Sequence, residues 1–310
     1  MADRITGMQV LIRVAKAGSF SAAARALGMS PTMVTKHVTE LEHRLGVTLF
    51  YRSTRKLTLT ESGERFLAAS TQILSDLEEA EANAGGDRIE ARGTLRLQVP
   101  VSFGIRWIAP LLPQFLRERP QVTIEIGAAG RYVDLIEEGC DLAIRIGRLP
   151  DSGLTARKLA SIHTIVCAAP AYLATHGTPR RIAELSGHNC LTYSLGQTIG
   201  ADRWPFGDGG TAVEVSGTLK ADSGDMLLVA ARAGLGIIYE PTFIVADDLR
   251  AGTLVAIPLD VNPIDLGGVH AVYPSRRYVP QKVRAFIEFL AERFVHPPWE
   301  QGLPRNRAKR

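Results

Sequence analysis

Residues 18–46 read GSFSAAARALGMSPTMVTKHVTELEHRLG, two helix-forming segments separated by a glycine turn. Ser21 can cap the first, SAAARAL, whose alanines allow close helix packing. Gly28 ends it, because glycine tolerates the left-handed backbone that a tight turn needs. Ser30 then suits an N-cap, and Pro31 fits the first helical position, where its missing N–H costs nothing. Val34, Val38, Leu41 and Leu45 fall at helical spacing and predict the buried stripe of the second helix. The opposite face presents Thr32, Thr35, Lys36 and His37. Small polar and basic side chains on a capped helix behind a glycine turn are what a helix lying in the DNA major groove requires. The same pattern also describes a helical hairpin with a solvated polar face.

The next segment favours the nucleic-acid reading. Residues 48–60, TLFYRSTRKLTLT, predict two short strands around a turn carrying Arg52, Arg55 and Lys56. A basic hairpin beside a recognition helix can meet phosphates, or place an arginine in a narrow minor groove, a role that suits Arg55. Residues 1–65 hold ten Lys and Arg against five Asp and Glu, whereas residues 66–90 hold one Arg against six acids. A basic head and an acidic segment after it separate a surface for a polyanion from one that avoids it.

Residues 61–84 predict one unbroken helix with Phe66, Ile73, Leu77, Ala80 and Ala84 along a face. Gly85, Gly86 and Gly93 mark a break. Beyond it TLRLQV, VTIEI and DLAIRI alternate with helical segments at 107–117 and 133–138. HTIVCAA, VEVSGTL, a helix over 224–233 and LGIIYE form a second set, and VHAVYP with a helix over 281–294 returns to the first. Strand–helix alternation predicts parallel sheets covered by helices, in two lobes with a cleft between them. The Pro-rich, basic tail 297–310 reads as disordered. The predicted organisation is a DNA-binding module over 1–60, a linker helix and hinge over 61–92, a two-lobe α/β domain over 93–296, and the tail.

GSFSAAARALGMSP, VTKHVTELEHRLGVTLFYR, Arg55 and LTLTESG together resemble the LysR-type transcriptional regulators. The resemblance continues through DLAIRIGRLPDSGL, AAPAYLATHGTP, GLGIIYEP and VRAFIEFL, to about residue 296. It implies a multidomain α+β chain: an N-terminal winged helix-turn-helix, a linker helix pairing antiparallel with a partner's, and a sensor of periplasmic-binding-protein type. It implies double-stranded promoter DNA and a small-molecule effector as partners, self-association to a homotetramer, and contact with RNA polymerase. The DNA-binding set expected is Ser21, Ser30, Pro31, Thr32, Thr35, Lys36, His37, Arg52 and Arg55. Met33 stands where alanine is commoner in the family, and Cys140 where an aromatic residue is usual.

Ligands of open α/β sheets sit at the C-terminal ends of strands. That rule and the resemblance single out Ser102, Arg131 and Arg145 from one lobe, with Tyr193 and Asp222 from the other. Ser102 is expected to cap the helix after TLRLQV. Two arginines and a hydroxyl suit a carboxylate effector; the alternative is that the arginines pair with Asp134 or Asp141.

Other classes find less support. No apolar run approaches the roughly 18 residues of a membrane span, and the N-terminal segment lacks the apolar core of a signal peptide, so a cytoplasmic protein is expected. Cys140, Cys167 and Cys190 are far apart, which predicts burial over metal binding, with a redox-responsive regulator as the alternative. No paired nucleophile and base and no phosphate-cradling loop appear, so neither an enzyme nor a cofactor is expected.

Overall fold

The computed structural model describes residues 4–52, 57–84, 90–128, 135, 139–195, 202–208, 210–275 and 279–303. They fall into two compact units, 1–90 and 91–310.

In the first unit α1 (Arg4–Ala17), α2 (Phe20–Leu27) and α3 (Pro31–Leu45) pack around Val10, Leu11, Val14, Ala23, Ala24, Val34, Val38 and Leu41. Both predicted helices are present. The cap of α2 is Ser19, however, whose Oγ accepts the Ala22 N–H, and Ser21 is an exposed residue inside the helix. Starting the helix earlier places Phe20 in it, edge-on to Phe50 at 5.9 Å. Gly28 takes the left-handed conformation (φ 64°), so its N–H can return to the carbonyls that close α2. Leu45, expected in the buried stripe, is 37% exposed, because the helix ends there before its last turn meets the core.

The strands β1 (Phe50–Arg52) and β2 (Leu57–Leu59) pair antiparallel, and Leu49 and Phe50 seal the base of this hairpin. α4 (Glu61–Ala84) comes at once after it. Thr60 joins the two: its Oγ1 donates to the Thr48 carbonyl at 2.7 Å and accepts the Gly63 N–H at 2.9 Å. Along the expected apolar face Phe66 packs on the core, Leu77 is half-buried, and Ile73 is 48% exposed. The side chains of Ala80 and Ala84, and Gly85 and Gly86, lie outside the described residues.

The second unit begins with β3 (Gly93–Val99), α5 (Val101–Phe103), α6 (Leu112–Glu118), β4 (Val122–Ala128), β5 (Leu142–Ile146) and β6 (Leu154–Ala160). It continues with β7 (Thr164–Ala168), α7 (Pro170–His176), β8 (Cys190–Tyr193), β9 (Arg203–Phe206), β10 (Thr211–Glu214) and β11 (Lys220–Ala221). α8 (Gly224–Arg232), β12 (Ile237–Pro241), α9 (Thr242–Ala251), β13 (Val255–Ala256), β14 (Val269–Pro274) and α10 (Gln281–Arg293) complete it. The helix expected over 107–117 starts earlier, at Val101, and is broken by π-helical and 3-10 turns where Pro110 and Pro113 lack N–H donors. VEVSGTL is split: β10 pairs with β9 in a separate ribbon, and β11 begins one residue after the run. The helix expected over 133–138 lies almost wholly outside the described residues.

Two five-stranded sheets result, ordered β4-β3-β5-β14-β6 and β11-β8-β12-β7-β13. Each is mixed, not purely parallel. β4, β3 and β5 run parallel, and β14 runs against both β5 and β6. In the second sheet β11, β8 and β12 are parallel, with β7 reversed. The chain crosses between sheets after β6 and again before β14, and a strand returning from the other lobe enters from the opposite end.

The tail corrects another expectation. Residues 298–300 form a 3-10 turn with Trp299 fully buried, edge-on to Phe103 (5.3 Å), Trp107 (5.1 Å) and Phe294 (5.1 Å). Glu300 accepts from Thr242 Oγ1 at 2.6 Å and pairs with His163 Nδ1 at 3.0 Å. Residues 304–310, which carry the tail's basic groups, lie outside the described residues. Among the described residues no helix is long and apolar enough to cross a membrane.

Candidate nucleic-acid interface and effector site

The sequence places α3 so that its inner stripe is sealed and its N-terminal outer face is open. Ser30 Oγ accepts the Met33 N–H at 3.2 Å, and Pro31 occupies the first turn. Thr32, Met33 and Lys36 are exposed, while Thr35 and His37 are half-buried. Thr35 donates its hydroxyl proton to the Pro31 carbonyl at 2.9 Å, which leaves its oxygen to accept from a ligand. Lys36 keeps 64% of its side chain exposed, 3.9 Å from Glu40, a pair loose enough to exchange for a phosphate. His37 has a buried Nδ1 with no hydrogen-bond partner.

Glu42, absent from the expected set, ties this helix to the hairpin: its Oε1 accepts the N–H groups of Leu49 (2.8 Å) and Phe50 (3.3 Å). Arg52 ends β1, with its side chain outside the described residues, and Arg55 lies outside them altogether. Ser21, Ser30 and Pro31 are exposed near the start of the two helices.

In the second unit the expected effector residues are brought together only in part. Pro100, not Ser102, stands at the N-cap of α5. Ser102 instead donates to Asp225 Oδ2 of α8 at 2.5 Å, across 123 residues of chain and from one sheet's lobe to the other's. Arg106, which the sequence pattern did not single out, pairs with the other oxygen of Asp225. Its Nε is buried without a partner. Arg131 lies outside the described residues. Arg145 sits on β5 opposite His270 of β14, on the face of Ala143 and Val272. Asp141, one expected alternative partner for the arginines, holds the buried Lys282 ammonium at 2.9 Å.

Tyr193 and Asp222 do lie near one another, since Tyr193 is in register with Ala221 on the parallel strand β11. Burial raises the Tyr193 hydroxyl above its ordinary pKa, and the charges of Glu240 and Asp222 add to this. Glu240 is the group that the sequence hid. It is 3% exposed, Oε1 has no partner, and Oε2 lies 3.0 Å from where a Cβ on Gly224 would stand. Burial, and then the neighbouring Asp225, push its carboxyl up to about 8. Among the described residues no group of His, Cys, Asp and Glu could hold a metal ion.

Comparison with known proteins agrees with both units. Residues 5–64 match the family described as bacterial regulatory helix-turn-helix protein, lysR family, and residues 88–295 match the LysR substrate binding domain. The regulator CrgA of Neisseria meningitidis serogroup C is 34% identical over 286 residues, covering 92% of this chain and 95% of its own. DmlR of Escherichia coli is 34% identical over 299 residues, covering 94% of each. The solved structure of Neisseria meningitidis CrgA aligns with a TM-score of 0.61 at 32% identity, over 94% of this chain and 98% of that one. The full-length Vibrio cholerae activator AphB aligns at 0.57 and 26%, over 94% and 100%. These relatives are transcriptional regulators, not enzymes, and the chain belongs to the LysR family of DNA-binding, effector-responsive transcriptional regulators.

Proposed function

We propose that this regulator reads promoter DNA through the open N-terminal face of α3. Thr32, Thr35, Lys36 and His37 meet bases and phosphates in the major groove, and Ser21, Ser30 and Pro31 flank the backbone. Arg52 and Arg55 of the hairpin reach phosphates and the adjacent minor groove. The observation that carries this reading is the division of one helix: Val34, Val38 and Leu41 are sealed while Thr32, Met33 and Lys36 face solvent. In this reading residues 1–60 bind DNA, 61–92 pair with a second copy, and 93–296 hold an effector between the lobes near Ser102, Tyr193 and Asp222. Two dimers make a homotetramer that works in the cytoplasm and touches RNA polymerase at the promoter. Exposed Ile73 on α4 supports the pairing.

A footprint of the purified chain on the DNA upstream of its own gene tests this. Protection of half-sites spaced by whole turns of about 10–10.5 base pairs is the expected result. Lys36→Ala and Arg55→Ala should each weaken binding and lower the salt slope by about one. Unchanged affinity in both variants would remove the assignment of helix and hairpin.

A further inference from the structure

The contact between the lobes is built like a ligand site. One carboxylate, that of Asp225, has a donor on each oxygen, and both donors come from the opposite lobe: the Ser102 hydroxyl at 2.5 Å and the Arg106 guanidinium. Hydroxyl and guanidinium converging on two oxygens is how proteins recognise a free carboxylate. The pair is not sealed, with 27% of the Arg106 side chain and 36% of the Asp225 side chain exposed.

Nor is it satisfied. Arg106 Nε is buried with no hydrogen-bond partner, so the guanidinium fork is only half used. A carboxylate free to rotate can take the Nε and Nη protons together; Asp225, tethered to the first turn of α8, engages Nη2 alone. Behind Asp225 stands Glu240, buried and with its own orphaned Oε1. A structural latch selected only for strength would leave neither orphan.

We infer that Ser102 and Arg106 form the receiving site for a carboxylate group of the effector, and that Asp225 fills this site from within until the effector displaces it. The inference rests on the reading that the effector binds between the lobes, and it replaces the expected Arg131 and Arg145 with Arg106. Displacement releases α8 from the segment that carries Ser102 and Arg106. Ligand binding is thereby coupled to the relation of the lobes.

The test is titration of the full-length chain with acetate, propionate and butyrate, and with the matching neutral amides, by isothermal calorimetry or ligand-observed NMR. Removing the internal competitor with Asp225→Ala should tighten binding of at least one carboxylate tenfold or more over wild type, with the amides unaffected. Arg106→Gln should abolish carboxylate binding in both backgrounds. If the alanine variant does not fold, Asp225→Asn keeps the side-chain shape and should tighten binding severalfold. Equal affinity with and without the Asp225 charge, retention of binding in Arg106→Gln, or equal binding of amides would each overturn the inference. A protein that fails here yet protects its upstream DNA remains a regulator without this site, and the two failures are thus distinguishable.

Discussion

Glu42 Oε1 lies 2.8 Å from the Leu49 nitrogen and accepts its N–H, so the C-terminal half of α3 holds the first strand of the hairpin in place. The same oxygen accepts from Phe50 at 3.3 Å, and Thr60 closes the other side with its N–H on the Leu49 carbonyl at 2.9 Å. Two backbone donors therefore depend on one carboxylate at the junction of α3 and the hairpin.

Glu42→Ala should leave those donors without a partner and cost about 1–3 kcal/mol of local stability. Hydrogen exchange reads it directly: the amides of Leu49 and Phe50 should lose protection, and DNA affinity should fall although Glu42 lies in the C-terminal half of α3, two turns from Thr35. Glu42→Gln, which keeps an acceptor oxygen, should lose much less. Unchanged protection in the alanine variant would show that the hairpin is held by its apolar base alone.

Trp299 is buried among Phe103, Trp107 and Phe294 and donates to the Ser161 carbonyl at 3.3 Å. It thus supports α5 and the π-helical turn that carry Ser102 and Arg106. Trp299→Ala should destabilise the second unit by about 3–5 kcal/mol, read as an earlier midpoint in urea by circular dichroism. A chain ending at Val295 should show the same loss. A midpoint unmoved in both variants would return the tail to the disordered class that its composition suggested.

What was legible in the sequence was local. Ser30, Pro31 and Gly28 act on backbone within four residues of themselves, so the start of α3 and the end of α2 could be read from their chemistry. The start of α2 is not decided by local chemistry, because Ser19 and Ser21 are equally good caps; the packing of Phe20 on Phe50 accompanies the earlier start. Strands with largely apolar runs, such as TIVCA and LAIRI, are readable for the same reason, whereas β6, whose middle residues are exposed, carries no such signal. The site was not legible where it depends on tertiary contact. Ser102 meets Asp225 across 123 residues, Arg106 looks like a surface cation on a helix, and Glu240 looks like the polar end of a strand. Trp299 sits in a tail whose Pro and charge content argues for disorder, and one large aromatic finding a cavity outweighs both.

The cysteines separate by accessibility. Cys167 and Cys190 are fully buried. Burial raises both thiols, that of Cys190 to about 12, and Glu240 and Asp248 raise Cys167 further. Neither forms the thiolate that oxidants and alkylating agents attack. Native-state labelling and mass spectrometry should therefore find Cys140, which is half-buried, modified well before the other two, with Cys167 and Cys190 reacting only on unfolding. Rapid labelling of Cys167 in the folded chain would revive oxidation of that residue as a regulatory signal.

Glu240 makes the second unit pH-sensitive in a defined direction. Its folded carboxyl titrates at about 8, and burial is the larger cause, ahead of the charge of Asp225. In the unfolded chain it would titrate near the ordinary carboxylate value of about 4.3. Between these values the folded state keeps a proton that the unfolded state has lost. The contribution is therefore fully present below the unfolded value and falls away as pH rises through the folded one. The slope is at most about 1.4 kcal/mol per pH unit, and partial relaxation around the carboxyl would make it smaller. Urea midpoints at pH 6 and pH 8 should show lower stability at pH 8 for the wild type, and Glu240→Gln, neutral at both, should flatten the difference. Asp225→Asn should flatten it only in part, since it removes the lesser cause and leaves the burial. An equal fall between pH 6 and pH 8 in wild type and Glu240→Gln would place the titrating group elsewhere.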